Sequence, residues 1–259
     1  MLVDYHVHAL AHGEFDHSPE WIRVYLDRAL SRGISQIGFS EHDWFLERID
    51  PDIIAQVSAE PAFGNLEVRV GVEVDYRPEE EPKISSFLAD RHYDYVIGSV
   101  HHLGDWPFDH PDHKDGFLPR DLEDIYQEYY GLVRRMVVAG LFDVIGHLDL
   151  IKVWGFKLPP KRESVYLVPI LDEVRHSGLV VEVNSGGLRK PVAEVYPSPA
   201  LLRELFEHNI PITFGSDAHH PDQLGEGLSL AVQQAWDAGY RTMAGFSGRE
   251  RIYHPITRR

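Results

Sequence analysis

His6 and His8 stand two residues apart, and so do Asp217 and His219. On an extended strand that spacing turns both side chains to one face, the arrangement in which two ligands can share one metal ion. More imidazoles and carboxylates fall in short clusters: Ser40-Glu41-His42-Asp43, Glu73-Val74-Asp75, Gly98-Ser99-Val100-His101-His102, Gly146-His147-Leu148-Asp149 and Glu182-Val183-Asn184-Ser185-Gly186. Taken singly, each has an ordinary explanation. An isolated His42, His101 or His147 is more often a hydrogen-bonded structural histidine than a ligand. Glu73, carried by an apolar run, fits a buried salt bridge as well as a carboxylate bridging two metals, and Asp217 fits a helix cap. Their recurrence along the chain reverses that balance. There is no cysteine, so imidazole and carboxylate are the available ligands, a donor set suited to zinc, manganese or iron.

Something must bring these clusters together. Short apolar runs suited to buried strands lie at residues 2–4, 36–39, 68–74, 93–97, 142–145, 179–183 and 212–214, and a polar cluster follows nearly every one. Residues 19–31, 120–139, 163–176, 199–208 and 223–238 carry the apolar spacing of amphipathic helices, with Gly33, Gly140 and Gly178 where such helices stop. The alternation predicts an α/β fold with a parallel sheet, in which loops at the carboxyl ends of the strands surround one common site. So many imidazoles and carboxylates in one pocket are costly in desolvation and repulsion unless cations sit between them. Residues 104–117, crowded with Asp, His, Pro and Gly, read as a long loop and a candidate lid. Residues 186–199, with Arg189, Lys190 and three prolines, read as a structured loop. No repeat, low-complexity segment or linker interrupts the sequence, so a single domain over residues 1–259 is expected.

The formal net charge of −16 argues against nucleic acid or an anionic membrane as partner, because both reward clustered Lys and Arg. An anionic substrate would have to overcome that field through local cations, and bound metals are often the largest local charges in a site. Sixteen histidines make that solution available. The N-terminal residues lack a basic segment followed by an apolar stretch, and no apolar run approaches membrane-spanning length, so a cytoplasmic protein is expected.

The order Asp4-x-His6-x-His8, Glu41-His42, Glu73, His101, His147 and Asp217-x-His219 resembles the polymerase and histidinol phosphatase (PHP) superfamily over almost the whole chain. The longer strings around Gly98 to His102, Trp106 to Asp109, Gly140 to Lys152 and Asn184 to Pro191 resemble its histidinol-phosphatase branch. The resemblance implies a distorted barrel of seven βα units, TIM-like, with up to three divalent metals. It implies one ion held by His6, His8, Glu73 and Asp217, a second by Glu73, His101 and His147, and a third by His42, His219 and a histidine of the first loop. The family usually has Gly-His-Ala in that loop. This chain has Ala11-His12-Gly13, and also His17; His12 keeps the better spacing to the following helix and is the expected ligand, with His17 the alternative.

The implied reaction is hydrolysis of a small-molecule phosphomonoester, L-histidinol phosphate, by a metal-bridging hydroxide attacking phosphorus in line. Arg189 is the candidate for a bidentate grip on the phosphate, a geometry that guanidinium suits. Lys152 and Lys190 are weaker candidates. His219, His220, His102 or a metal-bound water are the candidate proton donors to the leaving alcohol, and His102 and His220 also candidate substrate contacts. Asp4 and Asp149 are expected to orient ligand imidazoles, and acidic residues around Asp105 and Asp109 to meet the substrate's amine and imidazole. Competing readings are a phosphoesterase of other specificity (phosphotyrosine, nucleotide or broad phosphomonoesters), an amidohydrolase-type barrel, and a catalytically silent metal-binding protein.

Overall fold

The computed structural model describes residues 1–257 of the chain. Its strands are, in chain order, β1 (Val3–Val7), β2 (Gln36–Phe39), β3 (Glu67–Asp75), β4 (Tyr95–Ser99), β5 (His102–Leu103), β6 (Trp106–Pro107), β7 (Val144–Ile145), β8 (Val180–Asn184), β9 (Ile212–Gly215), β10 (Thr242–Ser247) and β11 (Glu250–Pro255). Seven of them form one parallel sheet in the order β1-β2-β3-β4-β7-β8-β9. The sheet curls until its edges meet at the top: His8 N donates to Ala218 O at 2.8 Å and Ala218 N to His6 O at 3.2 Å. The result is a nearly closed seven-stranded barrel. Every residue of β1, β2, β4, β8 and β9 is buried, as expected of parallel strands covered on both faces.

The covering helices are α1 (Pro19–Arg32), α2 (Pro51–Ser58), α3 (Glu81–Ala89), α4 (Leu122–Ala139), α5 (Pro160–Ser177), α6 (Pro199–Glu207) and α7 (Leu228–Ala238). Their limits follow local chemistry. Ser18 accepts from Trp21 N at the start of α1, and Gly140 and Gly178 close α4 and α5 with φ of 67° and 75°. The expected helix over residues 223–238 starts later, at Leu228, because Gly225 and Gly227 take φ of 71° and 74°. Among the described residues no helix is long and apolar enough to cross a membrane.

Not expected were α2, α3, the short β5–β6 pair and the C-terminal hairpin β10–β11. The hairpin closes the amino-terminal end of the barrel. Phe246 packs on Tyr5 and Tyr95 (centroids 5.8 and 5.6 Å apart), and Arg69 Nε donates to Phe246 O at 2.7 Å. Gly38 and Gly71 make room for the Tyr95 ring; a methyl group on Gly71 would lie 2.5 Å from it. The segment 104–117 is not an open loop. It carries β6 and a tight helical turn over Pro111–Phe117; Trp106 packs on Phe117 at 4.8 Å, and Phe117 stacks on Phe156 at 4.8 Å.

Candidate metal centre

Each strand delivers its polar residue to the same end of the barrel. Glu73, near the end of β3, is the hub. Its Oε2 lies 3.3 Å from His6 Nε2, 3.4 Å from His8 Nε2 and 2.9 Å from His42 Nδ1. Its Oε1 lies 3.1 Å from His147 Nε2 and 3.6 Å from His101 Nε2. Asp217 faces it across the cluster, with Oδ1 3.5 Å from His8 Nε2, 3.9 Å from His6 Nε2 and 3.6 Å from His219 Nδ1. Asp217 adopts a positive φ of 55°, a conformation that Asp tolerates better than most residues.

Among the described residues, three groups each bring one ligand atom per residue within 4.8 Å of the others: His6, His8 and Asp217; His6, Glu73 and His147; and His8, His42 and His219. The His12 ring stacks on His219 at 4.5 Å, beside the third group. His17 is turned elsewhere: its Nε2 lies 2.9 Å from Glu41 Oε1 and its Nδ1 accepts from Asp50 N. The donor atoms themselves argue for ions. His6 Nε2, both ring nitrogens of His8 and His219 Nε2 are buried without a hydrogen-bond partner, an expensive state that a coordinated cation relieves.

Electrostatics agree. Burial would raise the Glu73 pKa, yet the surrounding His6, His101 and His42 hold it well below the ordinary carboxylate range. Asp217 is likewise held low despite burial, by His8, His6 and His219. Burial, with His42 and His219 beside it, pushes His8 well below the usual imidazole value, and burial takes His219 down to about 4. His6 and His101 move the other way: despite burial, Glu182 and Glu73 hold His6 well above the usual imidazole value, and Glu73 with Asp75 takes His101 up to about 10, so protons stand there in the place that bound cations would take.

Around it stand carboxylates that orient the rings. Glu182 Oε1 is 2.7 Å from His6 Nδ1, and its Oε2 accepts from His147 N at 2.9 Å. Asp75 lies 3.3 Å from His101 Nδ1 and 2.9 Å from His102 Nδ1. These replace the residues expected in that role. Asp4 accepts from Ser216 N, Ser216 Oγ and Gly225 N, so it ties β1 to the loop after β9 instead of an imidazole. Asp149 pairs with Lys152 Nζ at 2.8 Å and accepts from Ser198 N. The sequence signal for Glu182 and Asp75 was a carboxylate inside or ending an apolar strand, which water cannot satisfy.

Of the expected phosphate contacts, Arg189 is best placed. Its Nη2 donates to Ser216 O at 2.7 Å and Asp217 O at 2.8 Å, while Nη1 is buried with no hydrogen-bond partner. Lys190 is exposed, and its charge reaches His12. Lys152 is corrected: it is buried, and its ammonium is taken by Asp149, Glu194 and Val195 O. His220 is also corrected, because its half-exposed ring accepts from Asp222 N and stands beside Trp21, outside the cluster.

A seven-stranded parallel barrel with imidazoles gathered around one carboxylate hub defines the PHP class of metal-centre proteins. The chain belongs to the PHP domain family, whose model matches residues 4–186. Its histidinol-phosphatase branch is indicated by the relatives: a probable histidinol-phosphatase of Deinococcus radiodurans is 40% identical over 93% of this chain and 95% of its own. The histidinol-phosphatase of Bacillus subtilis is 30% identical over 89% of this chain and 98% of its own. The crystal structure of histidinol phosphate phosphatase from Lactococcus lactis, complexed with zinc, L-histidinol and phosphate, superposes with a TM-score of 0.83 at 22% identity, covering 97% of this chain and 98% of that one.

Proposed function

We propose that this protein is a metal-dependent phosphomonoesterase that hydrolyses L-histidinol phosphate to L-histidinol and phosphate. The observation that carries the reading is the Glu73 carboxylate, set between five imidazoles with Asp217 opposite and Arg189 Nη1 close by, free of hydrogen bonds and 3.8 Å from Glu226 Oε2. His6, His8, Glu73 and Asp217 would hold one divalent ion, Glu73, His101 and His147 a second, and His12, His42 and His219 a third. Zinc, manganese and iron all suit these donors. Divalent ions held there supply Lewis acidity, lowering the pKa of water and offsetting charge on the phosphoryl oxygens.

The chain's own residues do the rest. Glu182 holds His6 by its Nδ1, leaving Nε2 toward the centre, and Asp75 does the same for His101. Arg189, braced on two main-chain carbonyls, directs its remaining amino group to a phosphoryl oxygen, with Lys190 adding positive charge at the rim. His102, whose ring lies beside Asp75, is the candidate to pass a proton to the departing alcohol, while His219, kept neutral by burial, serves as a ligand. A net charge of −16 and the absence of cysteine support a cytoplasmic enzyme acting on a small molecule and not on nucleic acid or a membrane.

The test is phosphate release from L-histidinol phosphate beside phosphotyrosine, nucleotide and simple alkyl phosphomonoesters, after chelation and reconstitution with manganese, zinc or iron. A metal-dependent preference for histidinol phosphate is expected. Faster turnover of another ester would remove the named substrate, and metal binding without any turnover would point to a silent binding protein.

A further inference from the structure

The imidazole assigned to the third ion stands on a loop that does not hold its own shape. His12 is exposed on the segment between β1 and α1, and the residues on either side of it take positive φ, 52° at Ala11 and 97° at Gly13. That conformation is costly for alanine, and a turn built on it needs outside contacts to persist. Those contacts come from the chain on either side of His42.

Glu41, the residue before His42, holds the near half of the loop. Its Oε1 accepts from Ala9 N at 2.7 Å and its Oε2 from Leu10 N at 3.1 Å, while His17 Nε2 lies 2.9 Å from Oε1. His17 Nδ1 accepts from Asp50 N at 3.1 Å, which puts the ring proton on Nε2 and aims it at the carboxylate. Both side chains are 1% exposed. The Glu41 carbonyl accepts from Glu73 N at 3.0 Å, so the same residue is fixed to the main chain of the hub.

Arg48 holds the far half. Its guanidinium donates to Gly13 O at 3.2 Å, Phe15 O at 2.7 Å and Asp16 Oδ1 at 2.8 Å, and lies 5.4 Å from the Phe45 ring. Between the two grips the His12 ring stacks on His219 at 4.5 Å and 18°, with its centroid 6.2 Å from that of His42. A strand-like bridge joins His42 to Glu73, so the stretch from Glu41 to Arg48 carries both His42 and the hold on His12.

We propose that Glu41, braced by His17, and Arg48 are positioning residues for the third ion: they hold the first loop so that His12 faces His42 and His219. Neither is itself a ligand. The assignment rests on the reading of the cluster as a metal centre.

The test counts zinc ions per chain by elemental analysis after equilibration over a range of buffered free zinc, for the wild type, His12→Ala, Glu41→Gln and Arg48→Met. Three donors converge on the two Glu41 oxygens, so a glutamine turns its own N–H toward one of them and releases the loop. Glu41→Gln is expected to keep two ions at wild-type affinity and to bind the third about ten- to a hundredfold more weakly, and Arg48→Met about tenfold. In both the third ion returns at correspondingly higher zinc, because His12 is still present; His12→Ala should hold two ions throughout. The Arg48 side chain is 35% exposed, so Arg48→Met decides the matter should the buried Glu41→Gln fail to fold. A folded variant with unchanged zinc affinity would overturn its residue's part, and equal weakening of all three ions would overturn the whole. A wild type that binds only two ions at every zinc concentration also overturns the proposal but leaves the metal centre; one that binds none overturns both.

Discussion

Glu182 Oε1 lies 2.7 Å from His6 Nδ1 at the heart of the barrel, and both residues are buried. The contact fixes which nitrogen of His6 faces inward, toward Glu73 and Asp217. The same carboxylate accepts from His147 N and Asn184 Nδ2, so one side chain orders ligands from β1 and the β7 end. Glu182→Gln keeps the shape and removes the charge that makes the imidazole a strong donor. Metal affinity, read by competition with a chromophoric chelator, is expected to fall about ten- to a hundredfold, with the fold retained by circular dichroism.

Glu73 has a more severe role. It touches the imidazoles of His6, His8, His42, His101 and His147 through two oxygens, so no neighbouring group can replace it. Glu73→Gln is expected to lose at least one bound ion per chain by elemental analysis and to lower kcat/KM by more than about a thousandfold. Chelation of the wild type should lower Tm by several degrees, and added zinc or manganese should restore it, because an ion that binds only the folded state stabilises it. An unchanged Tm on chelation would mean that the cluster is not a metal site.

Arg189 reaches its place by donating through Nη2 to the carbonyls of Ser216 and Asp217. A lysine cannot brace itself on two carbonyls and still present a second amino group, so Arg189→Lys should resemble Arg189→Ala. Both are expected to raise KM for the phosphate ester and the inhibition constant of inorganic phosphate by about ten- to a hundredfold. A near-normal Arg189→Lys would reduce the residue to a general positive charge.

Much of this was legible in the sequence because metal ligands on parallel strands announce themselves twice, by residue type and by position after an apolar run. His6, His8 and Glu73 are examples, since burial forces a carboxylate or imidazole to find a partner. What escaped depends on contacts made across the chain. The expectation for Asp4 and Asp149 failed because sequence shows that a carboxylate is near a ligand, not which way it points; Asp4 turned to Ser216 and Gly225, and Asp149 to Lys152. Likewise the hairpin of Thr242–Ser247 and Glu250–Pro255 has mixed burial, and only its long-range packing on Tyr5 and Tyr95 gives it a role.

Away from the Glu73 cluster, on α5, Glu163 is a buried carboxyl. Glu163 accepts from Tyr130 Oη at 2.9 Å. Its pKa is pushed up to about 8 by burial and by the nearby Asp149. The folded state thus holds the proton more tightly than the unfolded chain, whose glutamate titrates near 4.5. Stability from this group is complete below the unfolded value, declines as pH rises toward 8, and is absent above it. Glu163→Gln, which keeps the acceptor for Tyr130 and cannot ionise, should be close to neutral at pH 5 and should stabilise the protein at pH 9 by about 1–2 kcal/mol. Denaturant melts at the two pH values check the sign.

The floor of the barrel offers a prediction about coupling. Gly71 pairs with Tyr95 in the β3–β4 register, and a methyl group on it would lie 2.5 Å from the Tyr95 ring. That ring is held by Tyr5 at 5.1 Å and by Phe246 of the C-terminal hairpin at 5.6 Å. With the ring unable to retreat, Gly71→Ala is expected to cost about 1–3 kcal/mol of stability. Phe246→Ala opens space behind the ring at its own cost of about 3–5 kcal/mol. In the Phe246→Ala background the added cost of Gly71→Ala should shrink, because Tyr95 can then move; a double-mutant cycle from urea melts reads that difference. Strict additivity would show that the hairpin covers the barrel without clamping its floor, and the seven strands would then set the position of Tyr95 by themselves.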